Sequence, residues 1–187
     1  MPIERLEIGI SLGSNIGDRA ATLIEAVRRL DAFPHWVRSA VSSIYETEPV
    51  EVPDPFRDQL YFNAVILGFL PEAELVVLSD ECHRIEAEMG RVRGPERNAP
   101  RPLDLDLIYA GTRVWDTPGL RIPHPRWTER RFVVEPLAEV RPGLRLPGQD
   151  QTVAAILRDL PTRPGVRRLA IPGWPPLSAS RTESGGK

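Results

Sequence analysis

Asp104 and Asp106 stand two residues apart in the segment Leu103-Asp104-Leu105-Asp106-Leu107. Side chains alternate across a strand, so both carboxylates would share one face and the three leucines the other. Two residues span about 6.6 Å along a strand. Carboxylates that close repel unless a cation lies between them. Magnesium binds one or two carboxylates together with substrate phosphate oxygens, and a two-metal site needs ions about 3.5–4 Å apart, which such a pair can bracket. A bare Asp-Leu-Asp is more often an exposed strand face with two solvated acids, but the residues before this one change the reading. Residues 91–102 (RVRGPERNAPRP) carry Arg91, Arg93, Arg97 and Arg101, and guanidiniums clamp phosphate oxygens bidentately. Metal carboxylates beside phosphate arginines are the composition that phosphoryl-type transfer from ATP requires.

Other chemistries find less support. No GxxxxGK[ST] loop occurs. The turn Gly13-Ser14-Asn15-Ile16-Gly17-Asp18 has glycines but no lysine, and it reads as a strand-to-helix turn with a polar cap. Any ATP phosphates must therefore be held by the arginine loop and the metal. His35, His83 and His124 are not spaced from one another, or from Cys82, as a zinc site requires. His124, in IPHPRW, follows the aspartate strand, and spacing alone does not decide whether it reaches the site. Cys82 is the single cysteine, so no internal disulfide can form.

The chain has 187 residues, 41% of them hydrophobic and 27% charged, which is ordinary for a globular protein. A net charge of -2 gives no whole-molecule attraction to nucleic acid or an anionic membrane. Arginine supplies almost all the cations, Lys187 being the only lysine. No apolar run reaches the roughly 18 residues of a membrane span, and the N-terminus lacks a signal-peptide pattern. The expected compartment is the cytoplasm.

The elements that must position these residues follow from periodicity. Residues 6–12 alternate apolar with small or polar residues and read as a strand. Leu23, Val27, Leu30 and Phe33 recur at helical spacing up to Pro34. Residues 36–47 and 60–70 read as strands, separated by an acidic, proline-rich loop at 48–59. Pro71 suits the first position of a helix whose apolar face carries Leu75, Leu78, Cys82, Ile85 and Met89. Residues 103–109 form the aspartate strand, and Val114-Trp115 continues as an edge strand. Residues 122–137 look irregular as far as Phe132-Val133-Val134, residues 152–160 make a last helix, and the Pro, Gly, Ser and Arg content from Pro161 onward reads as a loosely ordered tail. The order strand, helix, strand, strand, helix, strand predicts an α+β fold: a ferredoxin-like antiparallel sheet with helices packed on one face and long active-site loops. Residues 1–160 would be the catalytic domain and 161–187 the tail.

Five segments in order, GISLGSNIGD, SSIYETEPV, LYFNAVILGF, GRVRGPERNAPRPLDLDL and IPHPRWTERRFVVEPL, resemble the 6-hydroxymethyl-7,8-dihydropterin pyrophosphokinase family. The likeness covers about residues 6–140. That family moves pyrophosphate from ATP onto a pterin alcohol in the folate pathway, and the resemblance implies roles for residues here. Asp104 and Asp106 would bind two magnesium ions, and Arg91 and Arg101 would be phosphate arginines of a mobile loop. His124 and Arg130 would contact ATP, with Glu86 an acidic helix position on the nucleotide side. Thr47, Val50, Tyr61, Asn63 and Phe132 would form the pterin pocket. Two positions depart from the pattern: Asn98 stands where some members carry an aromatic residue, and Glu48 where a proline can precede Pro49. The implied partners are ATP and the pterin, for a monomer binding neither nucleic acid nor membrane. Two rivals are a non-catalytic relative that senses a pterin or nucleotide, and a nucleic-acid-binding ferredoxin-like domain, whose strands would need an aromatic platform not seen here.

Overall fold

The structure, a computed structural model, describes residues 4–50, 59–91 and 100–178. Strand β1 (Arg5–Ser14) alternates large and small residues. Ile8, Ile10 and Leu12 point into a core shared with helix α1 (Arg19–Ala32) and helix α2 (Leu75–Glu88). Gly9, Ser11 and Gly13 face the other way. Small residues are needed there: a Cβ on Gly9 would sit 2.3 Å from the ring of Tyr109. Helix α1 starts where Asp18 accepts a 3.0 Å hydrogen bond from the Ala21 backbone N–H, the usual way a side chain satisfies a free donor at a helix start.

The six-stranded sheet runs in the order β5-β1-β4-β3-β8, with β2 also paired to β4. Here β2 is Val37–Val41, β3 is Ile44–Thr47, β4 is Tyr61–Pro71, β5 is Asp104–Ala110 and β8 is Val166–Leu169. All its pairings are antiparallel, as the ferredoxin-like order predicts. Helices α1 and α2 cover one face. The opposite face is not bare: Val65 and Leu67 of β4 pack against Val133, Val134 and Leu137 of helix α3 (Arg131–Val140), with Val153 and Ile156 of helix α4 (Val153–Asp159). The sheet thus carries helices on both faces.

The strand expected over 36–47 is broken at Ser42-Ser43, where the Val65 N–H donates to Ser42 Oγ at 2.9 Å and the chain steps from β2 to β3. Pro71 ends β4 opposite Arg5, a strand terminus that needs no N–H; a 3-10 turn over Glu72–Glu74 then precedes α2. Trp115 does begin a strand, β6 (Trp115–Thr117), but its partner is β7 (Leu120–Ile122) in a separate two-stranded sheet. Phe132-Val133-Val134 lies in α3 although β-branched residues and Pro136 are poor helix formers; burying its apolar face outweighs propensity.

The stretch after Pro161, expected to be loosely ordered, contributes β8, paired with β3. Arg167 donates to Glu46 at 2.6 Å and Arg168 reaches Glu139 at 2.9 Å, so the arginines that made it look like a tail are the ones that seat it. Further on, Trp174 Nε1 donates to the Ser42 carbonyl at 2.8 Å.

Candidate active site

Strand β5 is an edge strand turned by its own pattern. Leu103, Leu105 and Leu107 are buried in the core under α1 and α2, so Asp104 and Asp106 face the α3 side. Their partners across β1 are Gly13 and Ser11, too small to cover them. Asp104 Oδ1 accepts from Arg91 at 2.6 Å, and Asp104 Oδ2 lies 3.2 Å from the Arg101 guanidinium. Asp106 is held more loosely, 3.5 Å from Arg130. Burial first, and the neighbouring Asp104 second, push the Asp106 carboxyl above its ordinary range. A divalent cation between the two acids would relieve that repulsion. A carboxylate offers about four lone-pair sites, so Asp104 can hold both arginines and still ligate. Among the described residues no three or more His, Cys, Asp or Glu side chains form a ready metal cluster. A pair of carboxylates fits magnesium when substrate oxygens and water complete its shell.

Each arginine is positioned in turn. Glu86, on α2, is only 2% exposed. Its Oε1 accepts from the Leu105 N–H at 2.7 Å, on the free edge of β5, and from Arg91. Glu86 Oε2 is buried with no hydrogen-bond partner among the described residues, and burial raises this carboxyl to about 7. Expected on the nucleotide side, Glu86 thus acts on β5 and on Arg91. Arg101 is gripped by Asn15: the Arg101 N–H donates to Asn15 Oδ1 at 2.8 Å, and the Asn15 N–H returns to the Arg101 carbonyl at 3.4 Å.

Thr47, Val50, Tyr61, Asn63 and Phe132 all line one cavity of about 150 Å³, together with Gly13, Arg101, Asp104 and Arg130. The polar floor is buried and internally hydrogen-bonded. Asn63 is 3% exposed and Thr47 2%, and Asn63 Nδ2 donates to Thr47 Oγ1 at 2.7 Å. That leaves the Asn63 amide one N–H and its carbonyl oxygen for a ligand edge. Tyr61 and Phe132 supply flat apolar surface, and burial raises the Tyr61 hydroxyl pKa.

A second, open cleft of about 630 Å³ lies between α2 and the β6-β7 hairpin. Asp106 and His124 line it, with Leu107, Leu120 and Arg121. His124 is tied to β5 by its N–H, which donates to the Ile108 carbonyl at 2.8 Å. Its Nδ1 accepts from the Arg126 N–H at 3.1 Å. Burial lowers its pKa, against the opposing pull of Asp106. Arg130 sits where cavity and cleft meet: it lines the first, lies 5.7 Å over the Phe132 ring, and points toward both Asp106 and His124 at 3.5 Å.

Arg93, Arg97 and Asn98 lie outside the described residues, as do most of the two loops expected at 48–59 and 91–102. Gly13 and Asn15, expected only as parts of a turn, and Glu48, expected only as a departure from the family pattern, all bear on the site: Gly13 and Glu48 line the cavity and Asn15 holds Arg101. Gly13 carried a signal, since a glycine facing away from a strand's core side marks a close approach; Asn15 acts through a backbone 86 positions away, which no spacing encodes.

The sequence profile of the 7,8-dihydro-6-hydroxymethylpterin-pyrophosphokinase (HPPK) family matches residues 9–142. The chain is 40% identical over 131 residues to a 2-amino-4-hydroxy-6-hydroxymethyldihydropteridine pyrophosphokinase of Bacillus subtilis, covering 70% of this chain and 75% of that one. It is 36% identical to the Pseudomonas aeruginosa protein of the same name, over 74% of this chain and 82% of the other. It is also 41% identical, over 72% of its own length, to an Arabidopsis thaliana folate synthesis bifunctional protein, of which it spans 27%. Among solved structures, an HPPK-DHPS in complex with substrates superposes with a TM-score of 0.66 at 12% identity, over 89% of this chain and 47% of that chain. A Plasmodium falciparum HPPK-DHPS variant gives 0.64 at 10% identity, over 84% and 46%. At such identities the likeness speaks for the fold alone.

Proposed function

The chain belongs to the 7,8-dihydro-6-hydroxymethylpterin-pyrophosphokinase family, and from that premise we propose that it transfers pyrophosphate from ATP to the hydroxymethyl group of 6-hydroxymethyl-7,8-dihydropterin in folate synthesis. The observation that carries this reading is the placing of the two aspartates. Asp104 lines the smaller cavity and Asp106, two residues on, lines the open cleft. A flat acceptor in the first and a nucleotide in the second would meet at the carboxylate pair.

In this reading the Asn63 amide and Thr47 orient the pterin edge, while Tyr61, Phe132 and Val50 cover its faces. The acceptor hydroxyl would then face Asp104, which lines the same cavity. The hydroxyl oxygen bonds to the β-phosphorus, the bond from that phosphorus to the α-phosphate oxygen breaks, AMP leaves and the hydroxyl proton is lost. Arg91 and Arg101 hold phosphate oxygens and stabilise charge gathering on the transferring group. Arg130 and His124 hold the donor across the cleft. Glu86 keeps Arg91 and the start of β5 in place. Asp104 and Asp106 would hold two magnesium ions, which when bound neutralise phosphate charge and align the donor.

The proposed partners are ATP and the pterin, and the proposed state is a monomer in the cytoplasm. Among the described residues no helix is long and apolar enough to cross a membrane. The test is turnover with and without the pterin alcohol: AMP must appear only when ATP, magnesium and the pterin are all present. ADP as the nucleotide product would defeat the proposal.

A further inference from the structure

The family match ends at residue 142, yet the substrate cavity does not. Leu160, Pro161, Arg163 and Pro164 form one of its walls. This segment leaves α4 and leads into β8, and it is fastened at both ends to residues that neighbour the pocket in sequence. At the near end, the Arg131 guanidinium donates to the Leu160 and Pro161 carbonyls, each at 3.2 Å; Arg131 adjoins Phe132. At the far end, the Gly165 N–H donates to the Glu48 carboxylate at 3.1 Å, and the Glu48 N–H donates to the Gly165 carbonyl at 3.2 Å. Glu48 adjoins Thr47, which pairs with Val166 across β3 and β8. Glu48 is also a cavity-lining residue in its own right. Proline at this position, the alternative in the family pattern, has neither a carboxylate nor an N–H and cannot make this two-way clasp.

We infer that the segment carrying Leu160, Pro161, Arg163 and Pro164 is a wall of the acceptor pocket, and that Glu48 is a positioning residue that holds this wall against the pterin. The inference rests on the pterin reading of the cavity and adds a determinant of affinity from outside the family-matched stretch. A strap hydrogen-bonded at both ends completes the enclosure, and enclosure is what lets a small polar-edged heterocycle bury its faces. Loosening one end widens the pocket without touching Asp104, Asp106 or the nucleotide cleft.

The test is direct binding with the full chain, by calorimetry with the pterin alcohol in the presence of magnesium and a non-hydrolysable ATP analogue. Glu48→Ala removes the acceptor for the Gly165 N–H and is expected to raise the pterin Kd about fivefold to tenfold, the scale of one net hydrogen bond. The Kd for the ATP analogue should stay within about twofold, the scatter expected when no contact is lost. Glu48→Gln keeps an acceptor oxygen and should recover most of the affinity. Arg167→Ala removes an ion pair to Glu46 from the same strand, away from the cavity, and should leave the pterin Kd unchanged. An unchanged pterin Kd in Glu48→Ala would overturn the inference, and so would an equal rise in Arg167→Ala, which would make the clasp ordinary strand stability. A wild-type protein that binds the pterin but releases no AMP would sink the proposed activity while leaving the clasp to be judged by these Kd values. A wild-type protein that does not bind the pterin would sink both.

Discussion

Asn63 and Asp104 flank Gly13 from opposite sides, each paired with it across a strand boundary. The amide proposed to read the pterin edge and the carboxylate proposed to face the transferring phosphate are therefore two strand spacings apart, about 9.6 Å, with no side chain between them. A Cβ on Gly13 would come within 3.1 Å of Asn63 Oδ1 and 3.8 Å of the Asp104 Cβ. Asn63 cannot retreat, because its other amide atom is held by Thr47. Gly13→Ala should therefore raise the pterin Kd about tenfold, near 1.4 kcal/mol, while the fold survives. Calorimetry beside a thermal melt separates the two effects; unchanged pterin affinity would show that the row across β1 is not a ligand floor.

Asp106→Ala should cut kcat by about a thousandfold or more, the scale of losing a charge-stabilising group. Its stability should move the other way. The Asp106 carboxyl is raised by burial and by Asp104, so wild-type stability from this group is present at low pH and lost as pH rises through the raised value. The melting temperature of Asp106→Asn, relative to wild type in metal-free buffer, should therefore climb from acid toward neutral pH. A variant with near-normal turnover would remove Asp106 from the chemistry.

Glu86 supports a separate pH experiment. Its carboxyl is raised from 4.5 to about 7 by burial. Stability from this group is fully present below pH 4.5 and is lost up to about pH 7. Glu86→Gln keeps an acceptor for the Leu105 N–H and cannot ionise. Measured in chelator, its stability relative to wild type should improve between pH 5 and 8, by on the order of 2 kcal/mol. A flat difference across that range would mean that Arg91 fully compensates the buried charge.

The aspartate pair was legible because its signal is local: strand alternation alone puts Leu105 and Leu107 in the core and the acids on the other face. The five pterin-pocket residues came from family resemblance, and they line one cavity; nothing in the local pattern around Tyr61 or Phe132 marks either as more than an aromatic residue. Helix α3 was hidden because Val133, Val134 and Pro136 oppose helix formation locally, and only burial against Val65 and Leu67 decides it. Strand β8 was hidden for a related reason. Its Arg167 and Arg168 look like solvated tail until Glu46, 121 residues upstream, and Glu139 are placed beside them.

Asn15 was equally invisible, and it makes a prediction of its own. It holds the Arg101 backbone by two hydrogen bonds but does not line the cavity. Asn15→Ala should lower kcat about tenfold, and the loss should be non-additive with Arg101→Ala, because both act through one guanidinium. A double-mutant cycle gives the coupling; strict additivity would show that Asn15 supports only the turn before α1.

The most direct measurement follows the β-phosphate. ATP carrying radioactive phosphorus in the β position is incubated with the protein, magnesium and 6-hydroxymethyl-7,8-dihydropterin, and the products are separated. The account predicts label on the pterin product, matched by unlabelled AMP, with both lost in Asp106→Ala. Label retained in ADP, or released without transfer to the pterin, would contradict it.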